Sequence, residues 1–537
     1  MNNESKINLL VKQLAQKPIA SGEDFLKLKQ KLSNELKISP VGNIDILNTY
    51  KKLSQLKKIK KSFYLEKQLK KRPVRSLSGV AVVAVLTKPW PCPGKCIYCP
   101  TEKNIPKSYL AGEPAVERAL TLKYNPYQQV KKRIEVLEQN GHPTDKIELI
   151  VIGGTWSYLP KKYQYWFIKR CFEAANTDLH GQRTRTYTDK RKKFLRESVS
   201  SQRESVLEKV QRINETAKHR IIGLTLETRP DFINPKEIQR MRELGCTRVE
   251  IGVQAIDDKI LEKNQRGHNV QKIIEATKLL KDAGFKVCYH IMPGLYGSSV
   301  KKDLTMFKRI FDDPDFRPDM LKIYPCVVTK NSKLYKIWQQ KKYKPYSNRQ
   351  LINLIVKMKL LVPHYVRINR VIRDIPSWQI RGGSKISNLR EVLDKNLKKL
   401  GKECQCIRCR EIKDLKFEAK NLKLRIREYS ASGGKEIFLS CENFKTNKLA
   451  AFLRLRISKP YPIIREIHTY GELIPISEKS VAVQHLGFGK KLMREAEEIS
   501  EKLGYKKIAV IAGVGAREYY RKLGYKLEKT YMVKMIG

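Results

Sequence analysis

Three things are scarce in this chain of 537 residues: acidic side chains, long apolar runs and cysteines spread as a disulfide framework. Asp and Glu number 54 against 109 Lys and Arg, for a formal net charge of +55. So large an excess repels itself unless something anionic offsets it, and a polyphosphate backbone is the usual counterpart. Lysine-biased codon usage is the plainer account of part of it. Nucleic acid is therefore the expected partner, with RNA and DNA both left open. No apolar run approaches the length of a membrane helix, so no membrane partner is expected. The start, MNNESKINLL, lacks the charged-then-apolar layout of a secretory signal. The eleven cysteines concentrate at 92–99 and 404–409, which suits metal sites in a reducing cytoplasm better than disulfides. The expected location is cytoplasmic. No internal repeat is evident, and the length exceeds what one core supports, so about two to four domains are expected.

What is present is concentrated first in one loop. Cys92, Cys96 and Cys99 stand in PCPGKCIYCP directly after an apolar run. A CxxxCxxC loop supplies three thiolates, one fewer than a closed four-iron, four-sulfur cluster takes, and leaves one iron open. S-adenosylmethionine can chelate that iron through its amino and carboxylate groups, and its reductive cleavage yields a deoxyadenosyl radical. A structural zinc site is the plainer alternative, but it wants a fourth ligand that is not obvious nearby.

Around this loop the pattern is strand, helix, strand. GVAVVAVL at 79–86 reads as a buried strand, followed by 147–152, 221–226, 248–253, 285–291 and 320–324, with helical patterns between. The fold class read from this is α/β, a closed or partial (β/α) barrel over 73–385 with its chemistry at the C-terminal strand ends. Residues 1–72 read as a basic helical region, either a clamp on a nucleic-acid backbone or a solvated helix surface. Residues 181–220, rich in Arg, Lys, Ser and Gln, read as an exposed helix or a loop. Residues 386–420 read as a metal-binding linker and 421–537 as a separate compact α/β domain.

Gly153, Gly154 and Thr155 follow a strand, where glycines let backbone approach a ligand and carbonyls can accept from its ammonium group. With the cysteine loop one unit earlier, they point to S-adenosylmethionine. Glu227-Thr228-Arg229-Pro230 and Glu250-Ile251-Gly252-Val253-Gln254 read as strand ends whose polar groups face the barrel mouth, or as salt bridges between strands. Gln484, Gly487, Phe488, Gly489 and Lys490 fall in a QxxGxG loop before an amphipathic helix, where backbone N–H groups favour a pyrophosphate. With a strand-like stretch at 465–473 upstream and AVIAG then AREYYRKLGY downstream, the order is that of the coenzyme A core of GNAT-type acetyltransferases. Tyr519 or Tyr520 then faces the thioester and can protonate a leaving thiolate, plain helix packing being the alternative. Cys404, Cys406 and Cys409 form a CxCxxC knuckle that favours a metal, most simply structural zinc with a remote fourth ligand.

A barrel with an open-iron cysteine loop followed by a GNAT domain resembles the catalytic subunit of Elongator, the Elongator protein 3 family. The likeness runs from about residue 73 to the C-terminus, through GGT at 153–155, ETRP at 227–230, KIYP at 322–325, CIRCR at 406–410, REIH at 465–468 and YYRKLGY at 519–525. The resemblance implies a radical S-adenosylmethionine (radical SAM) enzyme that uses acetyl-CoA to form 5-carboxymethyluridine at the wobble uridine of tRNA. It implies cluster ligation by Cys92, Cys96 and Cys99, and acetyl-CoA contacts at Glu466, Ile467, His468, Thr469, Phe488, Gly489, Lys490 and Tyr520. It further implies a coenzyme contact from Lys146 across the domain interface, S-adenosylmethionine contacts at the glycine pair and Glu227, and catalytic roles for Lys322, Tyr519 and Tyr520. Accessory Elongator subunits are not expected to be required, and a homodimer is left open. The rival reading is a protein lysine acetyltransferase with a structural iron–sulfur cluster.

Overall fold

The computed structural model describes residues 2–17, 19, 21–70, 79–177, 205–412, 421–470 and 487–537. Gln484, most of the 181–220 stretch and residues 413–420 of the expected linker lie outside the described residues.

The N-terminal region is built from helices Asn3–Gln16, Gly22–Glu35, Asn43–Gln55 and Phe63–Leu69. Asn2, Ser21 and Ser62 cap three of them by accepting the N–H of Ser5, Asp24 and Leu65, which satisfies donors the helix itself cannot. Leu10, Leu14, Phe25, Leu32, Leu47 and Leu53 close on a core of their own, while Lys27, Lys31, Lys52, Lys57 and Lys58 stay exposed. The apolar stripe of the sequence thus faces inward and the cationic face outward. Lys51 Nζ ties this unit to the next by donating to the Glu138 carbonyl at 2.6 Å.

Next come β1 (Ala81–Leu86), β2 (Lys146–Ile152), β3 (Arg220–Thr228), β4 (Arg248–Gln254), β5 (Lys286–Ile291), β6 (Met320–Ile323), β7 (Val328–Thr329), β8 (Arg367–Arg370) and β9 (Ile380–Gly382). Seven of these form one parallel sheet in the order β1-β2-β3-β4-β5-β6-β8, and β7 pairs with β9 apart from it. Between the strands run helices such as Pro126–Gln139, Lys161–Asn176 and Val270–Asp282, whose apolar faces share the barrel core. Among the described residues β1 and β8 remain the sheet's two edges, so the curled sheet is a partial barrel. A free edge is normally a liability; here the buried Gln129 side chain accepts the Leu86 N–H at 2.9 Å and donates to the Leu86 carbonyl at 3.0 Å. β8, with the sequence Arg-Ile-Asn-Arg, carries too few apolar residues to read as a strand from sequence. The expected linker also folds onto this core: Leu389, Leu393, Leu397, Cys404, Cys406 and Ile407 are buried in it.

The last unit holds β10 (Leu422–Ala431), β11 (Gly434–Asn443), β12 (Lys448–Ile457), β13 (Ile463–Thr469), β14 (Lys507–Val510), β15 (Lys526–Glu528) and β16 (Tyr531–Met535). Their order is β10-β11-β12-β13-β14-β16-β15. All neighbours are antiparallel except β13 and β14, whose register covers only Ile463 with Ala509 and Ile464 with Val510. Two further bonds, from the Ala509 N–H to the Pro462 carbonyl at 2.9 Å and from the Ile511 N–H to the Ile464 carbonyl at 3.1 Å, close the contact. Beyond it β13 leaves β14 and the sheet splays open, beside helix Phe488–Lys502.

Candidate functional site

Because the barrel strands are parallel, their C-terminal ends share one mouth. The cysteine loop follows β1 there, and the glycine pair follows β2. Gly153 has φ +134° and Gly154 φ +100°, and a Cβ on Gly153 would stand 2.1 Å from Thr87 Oγ1 at the start of the cysteine loop. Only glycine permits the two loops to touch like this. Thr155 follows, half-buried.

The thiols of the loop are gathered but not crowded. A Cβ placed on Gly94 would lie 3.6 Å from both Cys92 Sγ and Cys96 Sγ. Arg266 Nη1 donates to Cys96 Sγ at 3.5 Å; burial pushes that thiol up, and Arg266 outweighs it to hold the thiol below its ordinary value. Burial, with the charges of Cys96 and Cys92, pushes the Cys99 thiol up to about 12. One zinc holds sulfurs about 3.8 Å apart, from a bond of about 2.3 Å. The Cys404, Cys406 and Cys409 sulfurs lie within 4.8 Å of one another, near enough to share one ion after a small adjustment, whereas Cys92, Cys96 and Cys99 do not form so tight a group. The wider trio fits a cluster whose ligands sit on separate irons, and the tight knuckle fits a single ion.

Below the loop a file of buried polar groups runs down the barrel interior. Tyr109 hydroxyl donates to Glu227 Oε2 at 3.0 Å, and His290 Nδ1 lies 3.6 Å from Glu227 Oε1. His290 Nε2 lies 2.9 Å from Glu250 Oε2, and the same oxygen pairs with Lys322 Nζ. Arg248 pairs with Glu148 at 2.6 Å and stands 3.8 Å from Glu250. Burial pushes Glu250 up, but Lys322 and His290 outweigh it and hold the carboxyl far below its usual range; Lys322 is correspondingly raised despite its own burial. Glu250 sits mid-strand and is bridged by a lysine two strands away, so the salt-bridge alternative describes it better than a strand-end position.

The C-terminal unit covers the other end of the barrel. A Cβ on Gly513 would meet the Ile222 carbonyl at 2.0 Å and one on Gly515 would meet Arg220 Cβ at 2.6 Å, so its backbone abuts the start of β3. Lys146 opens β2 at this same end, paired in register with Arg220. Charges lock the two units. Arg465 Nη1 donates to Asp319 Oδ1 at 3.0 Å and Arg456 Nε donates to Asp282 Oδ1 at 3.0 Å across the seam, and both arginines also donate to Glu436 of their own unit at 2.9 Å. Burial pushes Asp319 up, and Arg465, Lys281 and Arg454 outweigh it to keep it ionised.

In the splay beside β13, Ile467, Thr469, Gly489 and Tyr519 come together. Gly487 (φ +71°) starts the helix Phe488–Lys502 without a side-chain cap, so no cap side chain meets the first-turn N–H groups of Phe488, Gly489 and Lys490. A Cβ on Gly489 would lie 3.2 Å from the Tyr519 hydroxyl, 3.8 Å from Thr469 Cγ2 and 3.9 Å from Ile467 Cδ1. Tyr520 is buried against Tyr519 and Tyr525, and burial keeps its phenol protonated. Glu466 faces the barrel instead: it accepts from Arg454 Nε at 2.8 Å and lies 4.0 Å from Lys286 Nζ. His468 is stacked on Phe452 and meets the tilted ring of Tyr470; burial, aided by Arg367, pushes it down to about 4, so it is neutral near pH 7. Sequence reading missed Arg266, Lys286 and His290, which carry no motif and meet the site only through strand register.

The chain matches the radical SAM superfamily over residues 92–309, the radical SAM C-terminal domain over 318–399 and the acetyltransferase (GNAT) family over 409–525. It is 48% identical over 490 residues to a tRNA uridine(34) acetyltransferase of Methanocaldococcus infernus, covering 87% of each chain. It is 38% identical over 496 residues to human Elongator complex protein 3, covering 87% of this chain and 86% of that one. The solved archaeal Methanocaldococcus infernus Elp3 with an N-terminal deletion superposes with a TM-score of 0.71 at 44% identity, covering 86% of this chain and all of that one.

Proposed function

Because the chain belongs to the Elp3 family of radical SAM and GNAT proteins, which includes the tRNA uridine(34) acetyltransferases, we propose that it modifies the wobble uridine of tRNA, drawing two carbons from acetyl-CoA to leave a 5-carboxymethyl group. The observation that supports this most is the buried polar file through the barrel. It runs from Tyr109 and Glu227 near the cysteine loop, through Glu250, Lys322 and His290, to Arg248, Lys286 and Glu466 at the GNAT end. An acetyltransferase with an idle cluster has no use for charges buried between the two ends, since unpaired or imperfectly paired buried charge is costly.

Cys92, Cys96 and Cys99 would hold a four-iron, four-sulfur cluster that, with S-adenosylmethionine bound, supplies a carbon-centred radical able to take hydrogen from an unactivated methyl group. The glycine pair exposes carbonyls for the cofactor's ammonium group, and Glu227 accepts from a ribose or base. At the other end the N–H groups of Phe488, Gly489 and Lys490 grip the coenzyme pyrophosphate. Tyr519 hydroxyl, beside Gly489, donates a proton to the coenzyme thiolate that leaves when water attacks the thioester carbon and frees the carboxylate. Lys322 and His290 hold and pass protons at the base, and Lys146 steadies the coenzyme at the interface. The tight trio Cys404, Cys406 and Cys409 is read as a structural metal site, zinc being the simplest occupant. The exposed lysines of the N-terminal helices grip RNA phosphates.

The test is product analysis. Anaerobically reconstituted protein, reductant, S-adenosylmethionine, acetyl-CoA and unmodified tRNA are combined, and the RNA is digested to nucleosides. Carboxymethyluridine is expected only when every component is present. Acetyl-lysine on protein with no dependence on S-adenosylmethionine, and no modified nucleoside, would overturn the reading.

A further inference from the structure

Arg229 is spent in an unusual way. It follows β3, and its guanidinium is anchored on one side, Nε and Nη2 donating to the two oxygens of Asp231 at 2.9 Å each. The remaining nitrogen, Nη1, is buried without a hydrogen-bond partner. It stands 2.5 Å from where a Cβ on Gly94 would be, and that same point is 3.6 Å from Cys92 Sγ and from Cys96 Sγ. A second glycine, Gly267, gives way on the far side, its Cβ point 3.1 Å from Arg229 Nη2. A charged donor left unpaired in a buried place is expensive, and its direction indicates what pays for it.

We propose that Arg229 is a redox-positioning residue, its free Nη1–H aimed at the sulfur face of the cluster held by the cysteine loop, so that its charge stabilises the reduced state. Arg266, already donating to Cys96 Sγ at 3.5 Å, acts on the same face. One electron enters the cluster from an external low-potential reductant with no bond made or broken, and it adds negative charge to an already anionic site. A fixed cation with a donor toward sulfur favours that state. Asp231 opposes it, drawing off part of the positive charge while fixing the guanidinium plane. Gly94 and Gly267 are glycines here because a side chain at either place would push the guanidinium away. The inference rests on the cluster reading above, and its test separates the two.

Arg229→Gln and Asp231→Asn are reconstituted anaerobically beside the unaltered protein, and their iron content and midpoint potentials are measured by dye-mediated titration followed by electron paramagnetic resonance, without S-adenosylmethionine or RNA. Arg229→Gln is expected to keep its iron and shift the potential negative, with the reduced-to-oxidised ratio at a fixed potential falling about tenfold, or about 59 mV for a one-electron couple. Asp231→Asn is expected to shift it the other way. Unchanged potentials with iron intact, or shifts of one sign in both variants, overturn the proposal. Should Arg229→Gln fail to retain iron, the sign in Asp231→Asn decides alone. An unaltered protein that binds no reducible cluster overturns the cluster reading and this proposal together.

Discussion

The two cysteine trios differ by little in sequence and by much in place. Cys404, Cys406 and Cys409 close within 4.8 Å at the start of a short helix, and Cys406 and Ile407 are packed into the barrel core. Cys92, Cys96 and Cys99 lie looser on a loop at the barrel mouth, with two guanidiniums turned toward their sulfurs. On the proposed reading, the first, set against the core, is a fastener of the fold, and the second, at the mouth beside fixed cations, is a centre for electrons.

The largest expected effect sharpens this contrast. Cys96→Ala should abolish nucleoside formation and bound iron while leaving the melting temperature nearly unchanged, whereas Cys406→Ala should keep iron and lose about 3 kcal/mol of stability, roughly 6–12 °C. Iron analysis and calorimetry on both variants check it; equal loss of stability in the two would erase the distinction. A smaller effect comes from Gly94→Ala, whose methyl would stand 2.5 Å from Arg229 Nη1. Iron content and turnover should both fall, by roughly an order of magnitude in turnover if misplacement alone is at work, with no change at the knuckle.

The smallest is a pH effect on the knuckle side. His364, whose carbonyl accepts from Arg410 at 3.0 Å, is pushed down to about 4 by burial, with Arg410 and Arg427 adding to it. The unfolded chain binds that proton below about pH 6.5 and the folded one only below about 4. Stability therefore falls as pH drops through this window, by less than about 1.4 kcal/mol per unit since the ring is partly exposed. His364→Gln should flatten the slope measured by denaturant melts between those pH values, and an unchanged slope would assign the loss to other groups.

Much of this was legible in the chain itself. Short β-rich runs between helical patterns announced β1 to β6, and the glycines at 153 and 154 announced a close backbone approach, expected to a ligand and found between two loops. β8 was not legible, since its polar residues are satisfied by partners far away, among them Glu411 and Tyr470 beside Arg367. Nor could the stretch around Leu389 be seen to join the barrel, because an amphipathic helix does not say which core it faces. Of the site, the cysteines and the helix-start glycines were readable as motifs. The meeting of Glu250, His290 and Lys322 was not, since it depends on three strands lying side by side in one register.

The lattice of opposite charges around Asp319 and Glu436 bears on how such a molecule can change. Arg454, Arg456 and Arg465 come from one half, while Asp319, Lys281 and Asp282 come from the other. Cutting the gene between the halves would strand each set in contact with water it is shaped to exclude, and swapping in a foreign partner would do the same. The pairing works only as a whole, so either half should drift only in step with its neighbour.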